Sequence, residues 1–324
     1  MLTWIVGRGG LLGSHVERRI AERSEVWTPS GGFSWNEPMR ARAELTEACD
    51  RFAEAVDGGP WRIAWCAGAG VVASTPDRLN SETEIFRHFL SSLSAAFDLP
   101  TRSQQGFLFL ASSAGGVYAG ANCSPYDEFS PVAPLAPYGF CKLDQEVAVS
   151  SWSEESRVKV LIGRISNLYG PGQNYQKSQG LITQVLLRVI ARQPLHLYVP
   201  LDTTRDYLFA EDAARIVADC LDRLAEEGTP DGLPAMTKLI CSQQPVTIGT
   251  VLAQTRWITK NAVKVVVGTS SSTAHQARDL RMRSRVWPAI DRPPLTPLSH
   301  GMRSVYLDLL AAAQDGRIAP ALLA

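Results

Sequence analysis

The sequence predicts an α/β protein, a doubly wound parallel sheet carrying a smaller C-terminal lobe. Three observations lead there. Short β-rich runs alternate with helical patterns through the first half, and strands separated by helices imply right-handed crossovers and a parallel sheet. Two of those runs, "FLFLA" and "KVLIG", are apolar nearly throughout, as expected for strands covered on both faces. After about Pro171 the texture becomes irregular and rich in Pro and Arg, which suits a lobe folded against one end of the sheet.

Taken in order, strands are expected over 2–6, 25–28, 62–67, 107–111 and 159–164, with helices over 10–21, 41–56, 77–97 and 138–151. A polar loop at 172–179 leads to a helix at 181–190 and the Pro-bounded "PLHLYVP". A helix at 211–224, a strand at 238–241 and a last helix near 302–313 complete the chain. The resulting division is a domain of residues 1–172, to which 208–241 return, and a lobe made of 173–207 and 242–324. Ligands of such sheets bind beyond the carboxyl ends of the strands, so the cleft is expected between the two parts.

Lys+Arg and Asp+Glu balance at 32 each. That balance argues against a nucleic-acid or anionic-membrane partner, and an anionic substrate would have to be met by local arginines. The first residues do not read as a signal peptide. No run approaches the roughly 20 apolar residues of a membrane span, so a cytoplasmic location without membrane attachment is expected. The six cysteines (positions 49, 66, 123, 141, 220 and 241) show no CxxC spacing, and the five histidines form no HExxH. Free thiols and no metal site are the expectation.

Three motifs carry chemistry. Gly7, Gly10 and Gly13 are spaced G-x-x-G-x-x-G directly after the first strand. Such a turn brings backbone close to a pyrophosphate and aims a helix N-terminus at it, although a glycine-rich turn without a ligand reads the same way. Tyr138 and Lys142 lie i, i+4 on one helical face. An ammonium there stabilises the phenolate, making Tyr138 a usable proton donor and acceptor; Y-x-x-x-K also occurs by chance on surface helices. In "FLASSAGGVYAG" the fourth strand ends at Ser112 and Ser113. A hydroxyl here can hold a substrate oxygen beside Tyr138, or it can satisfy backbone groups at the strand end.

With these motifs in this order, "GRISNLYGPGQN" (163–174) is similar to the pattern R-x-x-N-x-Y-G-P. Likewise "TRDYLFAEDAARIV" (204–217) is similar to R-D-[YF]-[IVL]-x-V-x-D. The chain therefore resembles, over nearly its whole length, the extended short-chain dehydrogenase/reductase family of sugar-nucleotide epimerases, dehydratases and reductases. The resemblance implies a Rossmann-type sheet with a C-terminal substrate-binding lobe, a dinucleotide cofactor and a nucleotide-sugar substrate. It implies Tyr138 as acid/base, Lys142 on the nicotinamide ribose and Ser113 on the sugar oxygen. Ser113 is preferred to Ser112 from its spacing to Tyr138, although the usual hydroxyl position, counted back from Val117-Tyr118, falls on Ala114. Asn167 and Arg205 would grip the diphosphate; the alternative for Arg205 is a surface ion pair with Asp206 or Asp212. Arg281, Arg283 and Arg285 would either add to that grip or form a solvated face. Cys66-Ala-Gly-Ala-Gly70 resembles the loop that passes under the cofactor, with Ala67 and Gly68 beside it, as Gly7, Arg8, Gly10, Leu11 and Gly13 are beside the pyrophosphate.

NAD-specific members place a carboxylate at the end of the second strand. Here that strand, "EVWTPSGG", offers Ser30 instead, and Arg8 could balance a 2′-phosphate. NADP(H) is thus expected over NAD. Members that dehydrate carry Asp and Glu after the strand-four hydroxyl, where this chain has Ala114, Gly115 and Gly116. Members that epimerise two carbons use a Cys in that turn and a His after Y-G-P, where Gly172 stands here. The expected reaction is reduction of a 4-keto sugar nucleotide. The alternatives are NAD-dependent 4-epimerisation of a UDP-sugar and a non-catalytic NADP-binding protein. The helices at 77–97 and 138–151 suit a homodimer interface of the kind relatives use, unless they only cover the sheet.

Overall fold

The computed structural model describes residues 1–71, 74–100, 105–175, 180–229, 232–268 and 277–318. Of the polar loop expected at 172–179, positions 176–179 lie outside the described residues.

The first half runs β1 (Leu2–Val6), α1 (Leu11–Ala21), β2 (Val26–Trp27), α2 (Pro38–Val56), β3 (Trp61–Trp65), α3 (Pro76–Ala96), β4 (Gly106–Ser113), α4 (Ala114–Tyr118), α5 (Pro137–Ser156) and β5 (Lys159–Ile165). The second half adds β6 (Asn167–Tyr169), α6 (Leu181–Ile190), β7 (Leu195–Leu197), β8 (Thr204–Phe209), α7 (Ala210–Glu227), β9 (Ala235–Ile240), β10 (Pro245–Thr247), α8 (Ile248–Thr259), β11 (Val265–Val267), β12 (Asp279–Leu280) and α9 (Leu298–Gln314). Pro38, Pro76 and Pro137 each open a helix, a position where a missing N–H costs nothing.

Six parallel strands form the main sheet in the order β2-β1-β3-β4-β5-β9. Alternate residues of each strand feed opposite cores, as the pleat requires. Trp4, Ile63, Leu108 and Val160 face α2 and α3 with Phe52, Phe86 and Phe89. Ile5, Ala64, Phe109 and Leu161 face α1 and α7 with Val16, Ile216 and Leu221. Both faces are covered, which is why the strands are apolar throughout.

The strand order follows the 2-1-3-4-5 pattern of doubly wound sheets, because the chain returns from β2 across β1 straight to β3. The connection reverses direction at β1, and the crevice opens there, above the carboxyl ends of β1 and β3. The second strand is shorter than the 25–28 expected. It pairs only through Thr3↔Val26 and Trp4↔Trp27, and Pro29, which has no N–H, follows closely.

The other elements build the lobe. A second sheet runs β10-β8-β12, with β6 also on β8. Helices α6, α8 and α9 close around Tyr169, Phe209, Val251 and Met302. At the far edge of the main sheet the Lys238 ammonium is fully buried. It donates to Ser284 Oγ (2.9 Å), the Val286 carbonyl (2.7 Å) and Asp291 (2.9 Å). Beside it the Glu128 carboxylate accepts the Leu239 N–H at 2.9 Å and the Ser284 hydroxyl at 2.7 Å. Together these contacts hold the 284–291 segment against β9.

Among the described residues no helix is long and apolar enough to cross a membrane. No group of three or more His, Cys, Asp or Glu side chains there could hold a metal ion. All six cysteines are free.

Candidate active site

The glycine turn joins β1 to α1 at the crevice. Gly7 has φ +93°, and a Cβ there would lie 2.5 Å from the Ala67 nitrogen. A Cβ on Gly13 would lie 2.3 Å from the Gly7 carbonyl oxygen. Only glycine lets the β1 turn touch the β3 loop on one side and α1 on the other. Gly10, the N-cap, offers no side-chain cap to the first turn of α1, so the Leu11 end of the helix is left for an outside acceptor. That combination of a tight cradle and an uncapped N-terminus fits a dinucleotide pyrophosphate.

Across the crevice, β4 delivers Ser113 and α5 delivers Tyr138 and Lys142. A Cβ on Gly139 would come 2.2 Å from the Gly116 carbonyl oxygen, so the glycine after Tyr138 lets α5 pack directly on the turn after Ser113. A Cβ on Gly116 would lie 3.2 Å from Tyr138 Cε1 and 3.3 Å from Ser113 Oγ. The tyrosine ring and the serine hydroxyl therefore flank Gly116 as near neighbours. Ser113 Oγ accepts the Gly116 N–H at 3.1 Å and caps α4, while its own proton is free to face outward.

The two serines part company here. Ser112 is buried and donates to Glu146 Oε1 at 2.5 Å. That carboxylate in turn grips Arg164, whose Nη1 donates to the Tyr118 hydroxyl at 2.6 Å. Ser112 belongs to the support of the site. Ala114 is fully buried and has no hydroxyl to offer.

Lys142 is buried, and its Nζ donates to the Ala111 carbonyl at 3.3 Å and to Gln145 Oε1 at 3.0 Å. A Cβ on Gly68 would be 3.5 Å from that Nζ, so the ammonium faces the loop after β3. Glu82 Oε1 accepts the Ala69 N–H at 3.0 Å and fixes the loop from α3. Burial pushes the Cys66 thiol up to about 12, against the opposing pull of Lys142, so Cys66 is an inert wall of the cradle. The sequence reading missed Gln145 and Glu82; the i, i+3 spacing of Gln145 from Lys142 was the available signal.

On the lobe side, Arg205 donates to the Thr204 carbonyl at 2.9 Å. No ion pair engages it among the described residues, so neither of the carboxylates weighed for it, Asp206 and Asp212, is its partner. Asp206 is fully buried and accepts the Ser242 N–H at 2.8 Å, while Asp212 accepts the Thr296 N–H at 2.8 Å. Burial lowers Arg205 from its ordinary value, with Tyr207 and Asp279 opposing. A half-buried guanidinium without a carboxylate is suited to an anion. Asn167 donates to the Asp206 backbone carbonyl at 3.0 Å, which commits one of its donors to holding β6 and β8 together.

One expectation needs correcting, and one open choice is decided. Arg8 does not meet Ser30: its guanidinium forms a two-pronged pair with Glu17, at 3.1 and 3.0 Å, one helix face away. Ser30 instead accepts from Arg51 Nη1 at 2.8 Å, a cation thirteen residues into α2 that sequence spacing could not assign. Arg281 and Arg285 pair with Asp279 (2.8 Å) and Asp127 (2.9 Å) on the exposed side, and Arg283 is exposed between them. Arg281 and Arg285 thus belong to the solvated charged face.

Residues 3–232 match the model of the NAD dependent epimerase/dehydratase family. A putative UDP-glucose 4-epimerase of Methanocaldococcus jannaschii is 31% identical over 108 residues, 33% of this chain and 35% of that protein. A dTDP-4-dehydro-6-deoxyglucose reductase of Escherichia coli is 31% identical over 105 residues, 32% of this chain and 33% of its own length. The chain thus aligns with only about a third of the length of these curated relatives. Among solved structures, the UDP-glucose 4-epimerase of Thermotoga maritima with UDP-glucose matches with a TM-score of 0.77 and 18% identity, over 97% of this chain and 100% of that one. That of Thermus thermophilus in complex with NAD matches with a TM-score of 0.74 and 20% identity, over 96% and 100%. These likenesses establish the Rossmann-type architecture, and the relatives are sugar-nucleotide enzymes. With residues 3–232 matched to its model, this chain belongs to the NAD-dependent epimerase/dehydratase family.

Proposed function

We propose that the protein is an NADP(H)-dependent oxidoreductase that reduces a 4-keto group on a nucleotide-activated sugar. The observation that supports this reading best is the meeting of Ser113 and Tyr138 around Gly116, with Lys142 anchored to β4 through the Ala111 carbonyl.

The nicotinamide cofactor, held by Gly7, Gly10, Leu11 and Gly13 at its pyrophosphate and by Ala67 and Gly68 beneath, supplies the hydride when bound. Ser113, its oxygen fixed by the Gly116 N–H, turns its hydroxyl proton toward the ketone oxygen and holds it. Tyr138 gives its proton to that oxygen as negative charge develops there. Lys142 steadies the tyrosine after the proton leaves and grips the ribose with its remaining donor. Arg205 meets the substrate diphosphate, together with Asn167 from the neighbouring strand.

The turn after Ser113 is Ala114-Gly115-Gly116, so no carboxylate of that turn can act as a second acid or base for loss of water. The NADP(H) reading draws on the end of β2, where Ser30 accepts from Arg51 Nη1; Arg51 Nη2 pairs with Glu47 at 2.6 Å, so a 2′-phosphate would have to compete with that carboxylate. A homodimer is consistent with the exposed Phe140 and Val147 on α5.

The test is incubation with NADPH and a 4-keto-6-deoxy sugar nucleotide, following NADPH absorbance. Loss of absorbance is expected. No loss, together with tightly bound NAD in the purified protein, would transfer the chain to 4-epimerisation of a UDP-sugar.

A further inference from the structure

We propose that the indole of Trp35 is the platform on which the purine ring of the dinucleotide stacks, an inference that rests on the dinucleotide reading above.

The direction of the ligand follows from what is already placed. The pyrophosphate belongs at Gly7–Gly10, and the reactive end belongs at Ser113 and Tyr138, on the β4 side of the crevice. The other end must therefore run over β1 toward β2. Trp65, the last residue of β3, pairs in register with Val6, the residue before Gly7. The Trp35 ring stands edge-on to Trp65, with centroids 6.1 Å apart and planes at 89°. It thus packs on the residue that ends β3, at the carboxyl rim of the sheet.

Trp35 is 37% exposed, and its neighbours in the loop are packed and hydrogen-bonded. Phe33 packs on it at 5.3 Å and on the buried Trp4 at 6.4 Å. Between them, the Ser34 N–H and hydroxyl both donate to Glu44, at 2.6 and 2.9 Å. Burial stabilises neither the exposed ring face nor its position; the flanking contacts do that. A large aromatic surface held open beside a phosphate cradle is what a heterocyclic base needs, because every base has a π-face to stack. Among the described residues the sheet has no strand beyond β2 on this side. The loop that carries Ser30 and Trp35 therefore forms the wall of this half of the crevice, with Ser30 on the ribose side and Trp35 on the base side.

Calorimetric titration of the full chain with NADPH and with ADP tests this. Trp35→Ala and Trp35→Leu should each weaken both ligands roughly tenfold, whereas Trp35→Phe should stay within about threefold of wild type. Leu keeps the apolar packing on Trp65 and removes only the aromatic face, so a folding defect in the alanine variant would not obscure the result. Unchanged affinity for both ligands in Trp35→Leu overturns the platform and leaves the dinucleotide reading intact. A wild-type protein that binds neither NADPH nor NADH sinks that reading and the platform with it. Unchanged affinity combined with a lower sedimentation coefficient in Trp35→Leu overturns the proposal in favour of a contact between copies of the chain.

Discussion

Glu146 and Arg164 hold each other in a two-pronged buried ion pair, with Nη2 2.7 Å from Oε2 and Nε 3.1 Å from Oε1. The pair ties α5 to β5 and holds the Ser112 and Tyr118 hydroxyls. Removing one partner strands a charge that has no water to turn to. Glu146→Ala should therefore lower stability by about 3–5 kcal/mol in urea unfolding. A loss below about 1 kcal/mol would show that the pair contributes little.

The adjacent serines should differ in turnover. Ser112→Ala deletes one buried hydrogen bond to a carboxylate and should cost about 1.5–3 kcal/mol, with turnover close to wild type. Ser113→Ala removes the α4 cap and should also cost about 1 kcal/mol, but it should lower kcat at least about a hundredfold, the scale for losing a donor to a developing oxyanion. The opposite assignment of effects would exchange their roles.

Tyr138→Phe keeps the ring beside Gly116 and removes only the transferable proton. Turnover should fall about 10²- to 10⁴-fold, with the NADPH dissociation constant unchanged by calorimetry. Arg205→Met should act on the other parameter, raising KM for the nucleotide sugar about tenfold or more while kcat changes less.

Gly139→Ala would push a methyl group to within 2.2 Å of the Gly116 carbonyl. The helix must back away from the turn, at about 1–3 kcal/mol of overpacking. Because the same movement draws Tyr138 from Ser113, kcat should fall too. Full activity in a stable Gly139→Ala protein would mean that the two backbones can separate without disturbing the site.

His15 gives the fold a pH dependence. It is buried on α1, and its Nδ1–H donates to the Leu11 carbonyl at 2.8 Å. Burial lowers it from the ordinary 6.5, with the Leu11 bond opposing. Below about 6.5 the unfolded chain binds a proton that the folded one resists. Its stabilising contribution is therefore complete above that pH and is lost as pH falls toward the folded value. His15→Gln should flatten the decline of the urea midpoint between roughly pH 7 and pH 5. An identical decline in both proteins would assign the acid sensitivity to other groups.

The main sheet was legible because burial on both faces writes each strand as an apolar run, and because glycines and prolines bracket the helices. The helix at 181–190 was read to the residue. The strands of the lobe were not legible: β6, β7, β10 and β11 are three residues long and β12 only two, too short for any period to emerge. At the site, Gly7, Ser113, Tyr138 and Lys142 could be picked out because each sits at a fixed offset from a strand end or along one helix. Arg51 and Trp35 could not. Arg51 lies inside α2 and meets Ser30 only through tertiary packing, and Trp35 is set by the loop after β2; neither placement leaves a spacing in the sequence.

The contacts around Lys238 and Glu128 have a consequence for the protein's behaviour at high concentration. An outer strand with bare N–H groups is a template on which another chain can add its own strand. On β9 the Leu239 N–H is already taken by the Glu128 carboxylate, and the 284–291 segment is pinned alongside. The opposite outer strand, β2, is two residues long. Both rims of the sheet are thus closed to edge-to-edge growth, one by a side-chain lid and the other by having almost no edge, which protects a sheet this apolar from running on into its neighbours.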